Sequence, residues 1–373
     1  MRLTKHKIGD LVELVTETNS ELKYGVEDVR GMTITKEIIP TKAKLESSDL
    51  SKFIVVKSNE FIYNPRTHGK KIGLGYNNVK KTIIISWNNI AFRVRENMKL
   101  IVLSDYLFLH FSRSEWDREA CFQSWGSSTE VFSWSTFCDM CLDLPPIEVQ
   151  QKYVDIYNAM VENQKSYEEG LEDLKLVCDG YIVELKRKYR VESINSYIER
   201  KNEKNTENKI SHVMGISTKK EFREPQSRVD KLKLGNYKIV RNQEFTYVPT
   251  TDTWKVLAFA LNKFNKDIVV SPIYEVFATD KDKLLPEYLA MWFSRKEFDR
   301  YARFHSWGSA RETFTWDDMS EVEIPIPDLS IQQSIVNIYK VYQERKEINE
   351  KLKQQIKDIC PILIKGSIEE ARK

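Results

Sequence analysis

The segment SWGSSTEVFSW occupies residues 124–134, and a close relative of it, SWGSARETFTW, occupies residues 306–316. The two segments stand 182 residues apart, and the similarity continues on both sides of them. A repeat of this length is not a solenoid, whose units contain roughly 20–50 residues. We therefore interpret the chain as two tandem copies of one domain, divided near residue 189, that pack around an approximate twofold axis.

The similarity extends well beyond the two segments. At the same spacing, Gln150-Gln151 faces Gln332-Gln333. At a spacing of 184, FIVVKSNEF (residues 53–61) faces YKIVRNQEF (residues 237–245). The duplication therefore covers most of the chain.

Length and composition agree with a folded, two-domain chain. The 373 residues correspond to two or three domains of ordinary size, and 41% hydrophobic with 30% charged residues is typical of soluble folded proteins rather than disordered ones. No run approaches the roughly 18 apolar residues of a membrane helix, and residues 1–10 lack an apolar export segment. Five scattered cysteines favour free thiols over a disulfide framework. We expect a cytoplasmic protein without membrane contact.

Each copy is predicted to begin with strands and a helix, which gives an α+β (mixed α/β) globular part. Ser104 is predicted to cap the helix of the first copy, and Pro286 suits the first turn of its counterpart. The predicted strands are 53–56, 82–86, 90–94, 256–261, 267–270 and 273–277, and the predicted helices are 104–121 and 286–303.

A long helix is predicted after the prolines at 145–146 and again after those at 325 and 327. Apolar or neutral residues recur three and four positions apart, which is typical of a coiled-coil seam, and polar positions within it are candidates for setting the register. Helices of about 40 residues extend about 60 Å and cannot bury this stripe on one small domain. We expect the two helices to pair, antiparallel. The stripe comprises Tyr153, Tyr157, Met160, Gln164, Tyr167, Leu171, Leu174, Cys178, Tyr181 and Leu185, then Ile331, Ile335, Ile338, Tyr342, Arg345, Asn349, Leu352, Ile356, Ile359 and Leu363.

Positive charge is concentrated in the globular parts, although the net charge is only +3. Lys and Arg outnumber Asp and Glu by six to one in residues 57–81 and by nine to three in residues 209–241, whereas residues 147–188 carry six against nine. Basic loops at corresponding places in two copies favour attraction to phosphates, with neighbouring side chains reading bases. The candidate DNA-binding residues are Asn64, Arg66, His68, Lys70, Lys71, Tyr76, Lys219, Lys220, Arg223, Thr250, Thr251, Thr253, Trp254 and Lys255.

No catalytic or metal-binding constellation is recognisable in the sequence. Gly73-Leu-Gly75 lacks the third glycine of a dinucleotide or methyl-donor loop and is interpreted as a turn. Cys138-x-x-Cys141 has no second pair, and the second copy replaces both cysteines, so a metal site is not expected. We expect no catalytic residue, no metal site and no cofactor in this chain.

Two repeated motifs have a structural and a functional interpretation. We favour a packing corner between the globular part and the long helix for Trp125-Gly126 and Trp307-Gly308, rather than a binding surface. Gln150-Gln151 and Gln332-Gln333 fit either helix capping or partner contact, and the sequence leaves both open.

The duplicated unit and the segments SWGSSTEVFSW…LDLPPIEVQQKYV and SWGSARETFTW…VEIPIPDLSIQQSIV resemble the specificity subunits of type I restriction-modification systems, as does the Lys7–Asp10 opening. The resemblance covers nearly the whole chain. The second copy departs from it where Asn195-Ser196 replaces Gly9-Asp10.

The resemblance implies two pseudo-twofold-related target-recognition domains, residues 1–145 and 190–327, separated by a pair of long antiparallel coiled-coil helices, residues 146–189 and 328–373. It implies double-stranded DNA as ligand, with one half of a bipartite asymmetric site read by each domain and the helices acting as a ruler. It also implies methyltransferase subunits that bind S-adenosylmethionine and restriction subunits as partners, which would leave the chain without catalysis of its own.

Two other classes of function stay open at the level of sequence. The chain could itself be a DNA adenine methyltransferase or a nuclease, although the methyl-donor loop is absent. It could also be a structural adaptor whose globular parts bind proteins.

Overall fold

The computed structural model describes residues 3–41, 45, 48–67, 71–126, 130–226, 229–230, 233–251, 256–308 and 311–373, with Thr251 described through its backbone alone. Contacts group the chain into two compact units. The first unit contains Met1–Tyr167 and Ile348–Lys373, and the second contains Glu168–Glu347. Each unit therefore takes part of both long helices together with one globular part.

The first unit is built around a four-stranded antiparallel sheet in the order β2-β9-β6-β7, flanked by the pairs β1-β10, β3-β4 and β5-β8. Its strands are β1 (Thr4–Lys7), β2 (Val12–Leu14), β3 (Arg30–Met32), β4 (Ile38–Pro40), β5 (Ile54–Val56), β6 (Glu60–Tyr63), β7 (Leu74–Asn77), β8 (Ile83–Ile85), β9 (Ile90–Val94) and β10 (Cys141–Leu144). Its helices are α1 (Ile8–Leu11), α2 (Ser104–Phe111), α3 (Ser114–Phe122), α4 (Trp134–Asp139) and the start of α5 (Ile147–Lys188), with 3-10 turns at Val26–Asp28, Leu50–Lys52 and Glu96–Met98.

The second unit has a four-stranded sheet in the order β12-β20-β16-β18, in which each strand corresponds to the strand at the same place in the first sheet. It also has the pairs β11-β22, β13-β14, β15-β19 and β17-β21. Its strands are β11 (Val191–Ser193), β12 (Ile198–Lys201), β13 (Gly215–Ile216), β14 (Phe222–Arg223), β15 (Lys238–Val240), β16 (Phe245–Tyr247), β17 (Thr250–Thr251), β18 (Phe259–Leu261), β19 (Ile268–Val270), β20 (Glu275–Thr279), β21 (Glu312–Thr313) and β22 (Glu323–Pro325). Its helices are α6 (Pro286–Phe293), α7 (Lys296–Phe304), α8 (Trp316–Ser320) and the start of α9 (Leu329–Arg372), with a 3-10 turn at Ile194–Tyr197.

Aromatic residues on the central strands build both cores. In the first unit Phe61 of β6 pairs with Phe92 of β9, and their rings stack 4.9 Å apart. In the second unit Phe245 and Phe277 occupy the same positions with a ring separation of 4.8 Å. Rings of this size bury the most apolar area per residue, so these pairs anchor the two sheets. The mixed α and β fold class predicted from the sequence is confirmed.

Most predicted strands are present with small changes at their ends. The strand predicted at 90–94 has those bounds in the structure. The prediction at 256–261 was too long, since β18 begins at Phe259. The prediction at 273–277 was two residues early, because Ile273 is 69% exposed in the turn that precedes β20.

The single helices predicted over 104–121 and 286–303 are wrong, because each is two helices joined at a bend. The Ser112 hydroxyl donates to the Phe108 carbonyl at 2.7 Å, and Arg113 then takes an extended conformation. Ser294 repeats this contact in the second unit. A serine that bonds the carbonyl four residues earlier weakens the helical pattern, which places the bend there.

The predicted helix starts have different outcomes. Ser104 is not a cap: it is the first residue of α2, and Leu103 stands at the N-cap with no side-chain hydrogen bond. Pro286 does occupy the first turn of α6, as predicted. The missing N–H of proline costs nothing there, because the first N–H groups of a helix have no partner within it.

The long helices run antiparallel where they meet in the first unit. Lys152 Nζ lies 2.8 Å from Glu370 Oε2, and Gln164 Nε2 donates to Asn349 Oδ1 at 2.9 Å. The antiparallel pairing predicted from the stripe is therefore confirmed in this unit, and two of its polar positions bond to each other. Tyr181 departs from the predicted stripe, since it is 41% exposed.

None of the helices in the described part of the chain is both long enough and apolar enough to cross a membrane. All five cysteines are free thiols.

Candidate nucleic-acid interface

Three short segments of the first unit form a small antiparallel ladder at the surface. Arg66 follows β6 and is bridged to Val131, and Val131 is bridged in turn to Trp125. Val131 N donates to Trp125 O at 3.0 Å, and Trp125 N returns a bond to Val131 O at 3.2 Å. We call Arg66, Val131 and Trp125 the first ladder.

The second unit repeats this arrangement with other side chains. Thr250 of β17 pairs with Thr313 of β21, and Thr313 is bridged to Trp307. Thr313 N donates to Trp307 O at 2.9 Å, and Trp307 N donates to Thr313 O at 3.2 Å. We call Thr250, Thr313 and Trp307 the second ladder. Tryptophan is therefore common to both ladders, and the other two positions differ.

Both tryptophans are exposed, which makes the predicted packing corner wrong. Trp125 is 77% and Trp307 71% accessible to solvent. Residues directly opposite in an antiparallel pair place their side chains on the same face. The ladders therefore present their three side chains together, and the exposure of the tryptophans shows that this face is open.

A second exposed aromatic residue precedes each tryptophan by three positions. Phe122 ends α3 and is 78% exposed, and Phe304 ends α7 and is 74% exposed. Large aromatic residues are usually covered, so a pair of them left open at corresponding places in two units indicates a binding surface.

Glycine is required immediately after the tryptophan of the second ladder. Gly308 has a φ of +152°, and a Cβ added there would lie 2.1 Å from the Arg311 carbonyl oxygen. Gly126 has a similar φ of 159°. Only glycine adopts this conformation without strain, so the Trp-Gly motif reflects the backbone conformation at Gly126 and Gly308.

The predicted DNA-binding residues of the first copy lie in different environments. Arg66 is exposed, and Asn64 positions it by accepting a hydrogen bond from its backbone N at 3.0 Å. Lys71 is exposed and lines a groove of about 650 Å³ that Lys353 and Lys357 of α9 also line. Tyr76 is 6% exposed, and its hydroxyl donates to Asn59, so it belongs to the core. His68 and Lys70 lie outside the described residues.

The predicted DNA-binding residues of the second copy also lie in different environments. Lys219 and Thr250 are exposed. Arg223 is half-buried and donates from Nε to the Ile216 carbonyl at 3.0 Å. Thr251 pairs through its backbone with Glu312. Thr253, Trp254 and Lys255 lie outside the described residues.

Lys220 is engaged inside its unit. Its Nζ lies 2.7 Å from Asp299 Oδ1 and donates to the Phe293 carbonyl at 2.7 Å, while the Phe259 ring lies 5.5 Å away. Burial lowers the pKa of Lys220, and Asp299 opposes that shift. This ammonium therefore serves the fold rather than an open surface.

The first unit contains the same ion pair, which sequence reasoning missed. Lys36 Nζ donates to Asp117 Oδ1 at 2.5 Å and to the Ile72 carbonyl at 2.8 Å. The side chains of Lys36 and Asp117 are only 6% and 9% exposed. Burial lowers the pKa of Lys36, and the charge of Asp117 opposes the shift. A signal existed in the repeat, since Lys36 and Lys220 stand 184 residues apart and Asp117 and Asp299 stand 182 apart.

The first glutamine of each Gln-Gln pair is a buried capping residue. For this glutamine the structure therefore favours helix capping over contact with a partner. Gln150 is fully buried; its Oε1 accepts from Leu103 N at 3.0 Å, and its Nε2 donates to the carbonyls of Ile101 and Pro145 at 2.8 Å. Gln332 makes the corresponding three bonds in the second unit. Each glutamine thus joins the start of a long helix to the N-terminus of a helix in the globular part.

His110 makes the first unit sensitive to acid. Its ring is buried against the Arg113 guanidinium, and burial first, with the Arg113 charge second, lowers its pKa well below 6.5. The folded state therefore binds fewer protons than the unfolded state, so stability is present above pH 6.5 and is lost as the pH falls below it.

We expect the free energy of unfolding to fall by up to about 1.4 kcal/mol per pH unit below pH 6.5 on account of this residue. His110→Phe should remove that part of the slope, because phenylalanine keeps a ring beside Arg113 and does not titrate. Urea unfolding at pH 7 and pH 5.5 measures the difference. Equal slopes for the two proteins would contradict the assignment.

No group of three or more His, Cys, Asp or Glu side chains that could hold a metal ion occurs among the described residues. The candidate nucleic-acid interface consists of the ladders, the exposed aromatic residues and the neighbouring basic side chains.

Residues 191–358 match the protein family described as "Type I restriction modification DNA specificity domain". This match confirms the resemblance predicted from the repeated segments. Residues 191–358, which include most of the second unit, are therefore similar to a type I restriction-modification DNA specificity domain. No curated protein matches the chain.

One solved structure has a similar fold, and two others have lower TM-scores. The type I restriction-modification system S subunit from M. genitalium has a TM-score of 0.58 and 9% identity, with 98% of this chain and 96% of that chain covered. The HsdS subunit from Thermoanaerobacter tengcongensis has a TM-score of 0.42 and 13% identity, with 98% and 96% covered. A chain from work on complex assembly and conformational transition of the type I R-M system has a TM-score of 0.48 and 13% identity, with 97% of each chain covered.

Proposed function

We propose that this specificity chain recognises a bipartite, asymmetric DNA sequence, with one half-site bound by each unit. The observation that carries the proposal is the pair of ladders. Both units present an exposed ladder with a tryptophan at its edge, but Arg66 and Val131 in one correspond to Thr250 and Thr313 in the other. Two ladders with the same backbone pairing and different side chains suit two different half-sites.

Phosphate attraction supplies the affinity in this proposal. The segments that lead into the ladders are basic, with six Lys and Arg against one acidic residue in residues 57–81. Each phosphate contact releases counterions, so binding should weaken steeply with salt concentration. Base contacts then add the sequence preference.

The two long helices set the distance between half-sites in this proposal. They contain 42 and 44 residues, which corresponds to about 60 Å of helix each. Half-sites read from one side of a duplex lie about 34–36 Å apart, one helical turn. A fixed helical spacer would therefore define the number of unread base pairs.

Catalysis belongs to partner subunits in this proposal. Methyltransferase subunits that bind S-adenosylmethionine would dock on the helices and flip the target adenine into their own pocket. Restriction subunits would cleave unmodified DNA. The rival functions, a self-contained methyltransferase or a protein-binding adaptor, have no specific observation in their favour.

The test is to map methylated adenines genome-wide in cells with and without this chain. We expect methylation at one bipartite motif that disappears when the chain is removed. Methylation that continued at the same motif, or that occurred without regard to sequence in its presence, would overturn the proposal. Binding of S-adenosylmethionine by the purified chain alone would favour the methyltransferase alternative.

A further inference from the structure

We propose that Trp125 and Trp307 are a common DNA contact of the two units, and that the residues opposite them in the ladders determine which bases each unit prefers. The inference rests on the proposed function and assigns residues to it. In the first unit the discriminating residues are Arg66 and Val131. In the second they are Thr250 and Thr313.

The size of a ladder fits a groove of DNA. Neighbouring strands lie about 4.8 Å apart, so three residues in line span about 10 Å. The major groove of DNA is about 12 Å wide and admits a β-ribbon. If the ladder lies along the helix axis instead, it faces about three base pairs, since each rises about 3.4 Å.

The chemistry of the three positions divides them into a shared and a selective part. An indole ring stacks or packs on any base or sugar and carries little sequence preference. An arginine can donate two hydrogen bonds to O6 and N7 of guanine, and an apolar side chain fits the methyl group of thymine. A threonine hydroxyl bonds to several bases. Arg66 with Val131 should therefore favour guanine near thymine, and the second ladder should differ.

Charge and sequence favour DNA over a protein as the occupant. Arg66 lies on the exposed face with Trp125, and Arg118 is exposed one helical turn before Phe122. A partner subunit that docked in the same way on both units would require like surfaces. Instead Arg66 is matched by Thr250, and Val131 by Thr313.

The first test replaces one ladder tryptophan. Trp125→Ala in the full chain should weaken binding to every duplex that the wild type selects from a pool of random sequence, by about 10-fold, because one aromatic contact is lost. Trp87→Ala is the matched control: Trp87 is 68% exposed in the same unit, in the turn before β9, and its loss should leave binding unchanged. Thermal unfolding verifies that both variants are folded.

The second test exchanges the selective residues. Arg66→Thr combined with Val131→Thr gives the first ladder the residues of the second. Selection from the same random pool should then recover duplexes changed in one half-site and unchanged in the other.

Two outcomes would overturn the inference: unchanged DNA binding by Trp125→Ala, or an unchanged half-site for the double variant. If Trp125→Ala kept its DNA affinity but lost its methyltransferase subunit, the face would be a protein interface. Failure of the proposed function looks different, because the wild-type chain would then select no common bipartite sequence at all.

Discussion

Asp117→Ala should lower the free energy of unfolding of the first unit by about 3–5 kcal/mol, the largest effect we expect from a single substitution. The Lys36 ammonium would remain in a site that is almost inaccessible to solvent. It would keep its hydrogen bond to the Ile72 carbonyl and lose the one to Asp117. A buried charge without its counterion must be neutralised or unfold its surroundings. Chemical denaturation followed by intrinsic fluorescence measures the loss.

The control removes both charges. Lys36→Met combined with Asp117→Leu should cost much less than Asp117→Ala, because a well-packed apolar pair replaces a buried ion pair with little change in stability. If the double variant were as unstable as the single one, the loss would come from altered packing and not from the unpaired ammonium.

Gln150→Ala should lower the free energy of unfolding by about 3 kcal/mol. The fully buried Gln150 side chain is the partner of the Leu103 N–H and of the Ile101 and Pro145 carbonyl oxygens, of which the Pro145 contact is buried and the other two are partly buried. Each buried polar group left without a partner costs about 1–3 kcal/mol. We expect a total loss near the lower end of the sum over these three groups, because a water molecule can enter the space left by the side chain and bond to some of them.

Gln151→Ala is the matched control for this prediction. Gln151 is exposed and bonds to Asp155 one turn along the same helix. Its replacement should change the unfolding free energy by less than about 0.5 kcal/mol. Similar losses for both variants would mean that the helix itself, rather than the buried capping contacts, is the sensitive element.

The sequence was sufficient for features that depend on spacing. The stripe at three and four residues predicted the antiparallel helices, and its polar positions Gln164 and Asn349 bond to each other. Pro286 stands where its missing N–H is harmless. These features follow from local geometry, which a sequence reports directly.

Features that depend on distant partners were missed. Lys36 and Asp117 are 81 positions apart, and nothing local distinguishes their charges from those at the surface. The usual burial of each residue type predicted the wrong environment for Trp125, which is exposed to solvent. It gave no indication that Gln150 is buried. The bend at Ser112 depends on one hydroxyl contact that pattern analysis does not resolve.

Main-chain hydrogen bonds hold both ladders in shape, so Arg66, Val131, Thr250 and Thr313 contribute little to keeping the backbone there. Substitutions at exposed positions of this kind leave folding almost unaffected. If the ladders select bases as proposed, a lineage carrying this chain would therefore acquire a new recognition sequence by one or two codon changes, with every intermediate still able to fold.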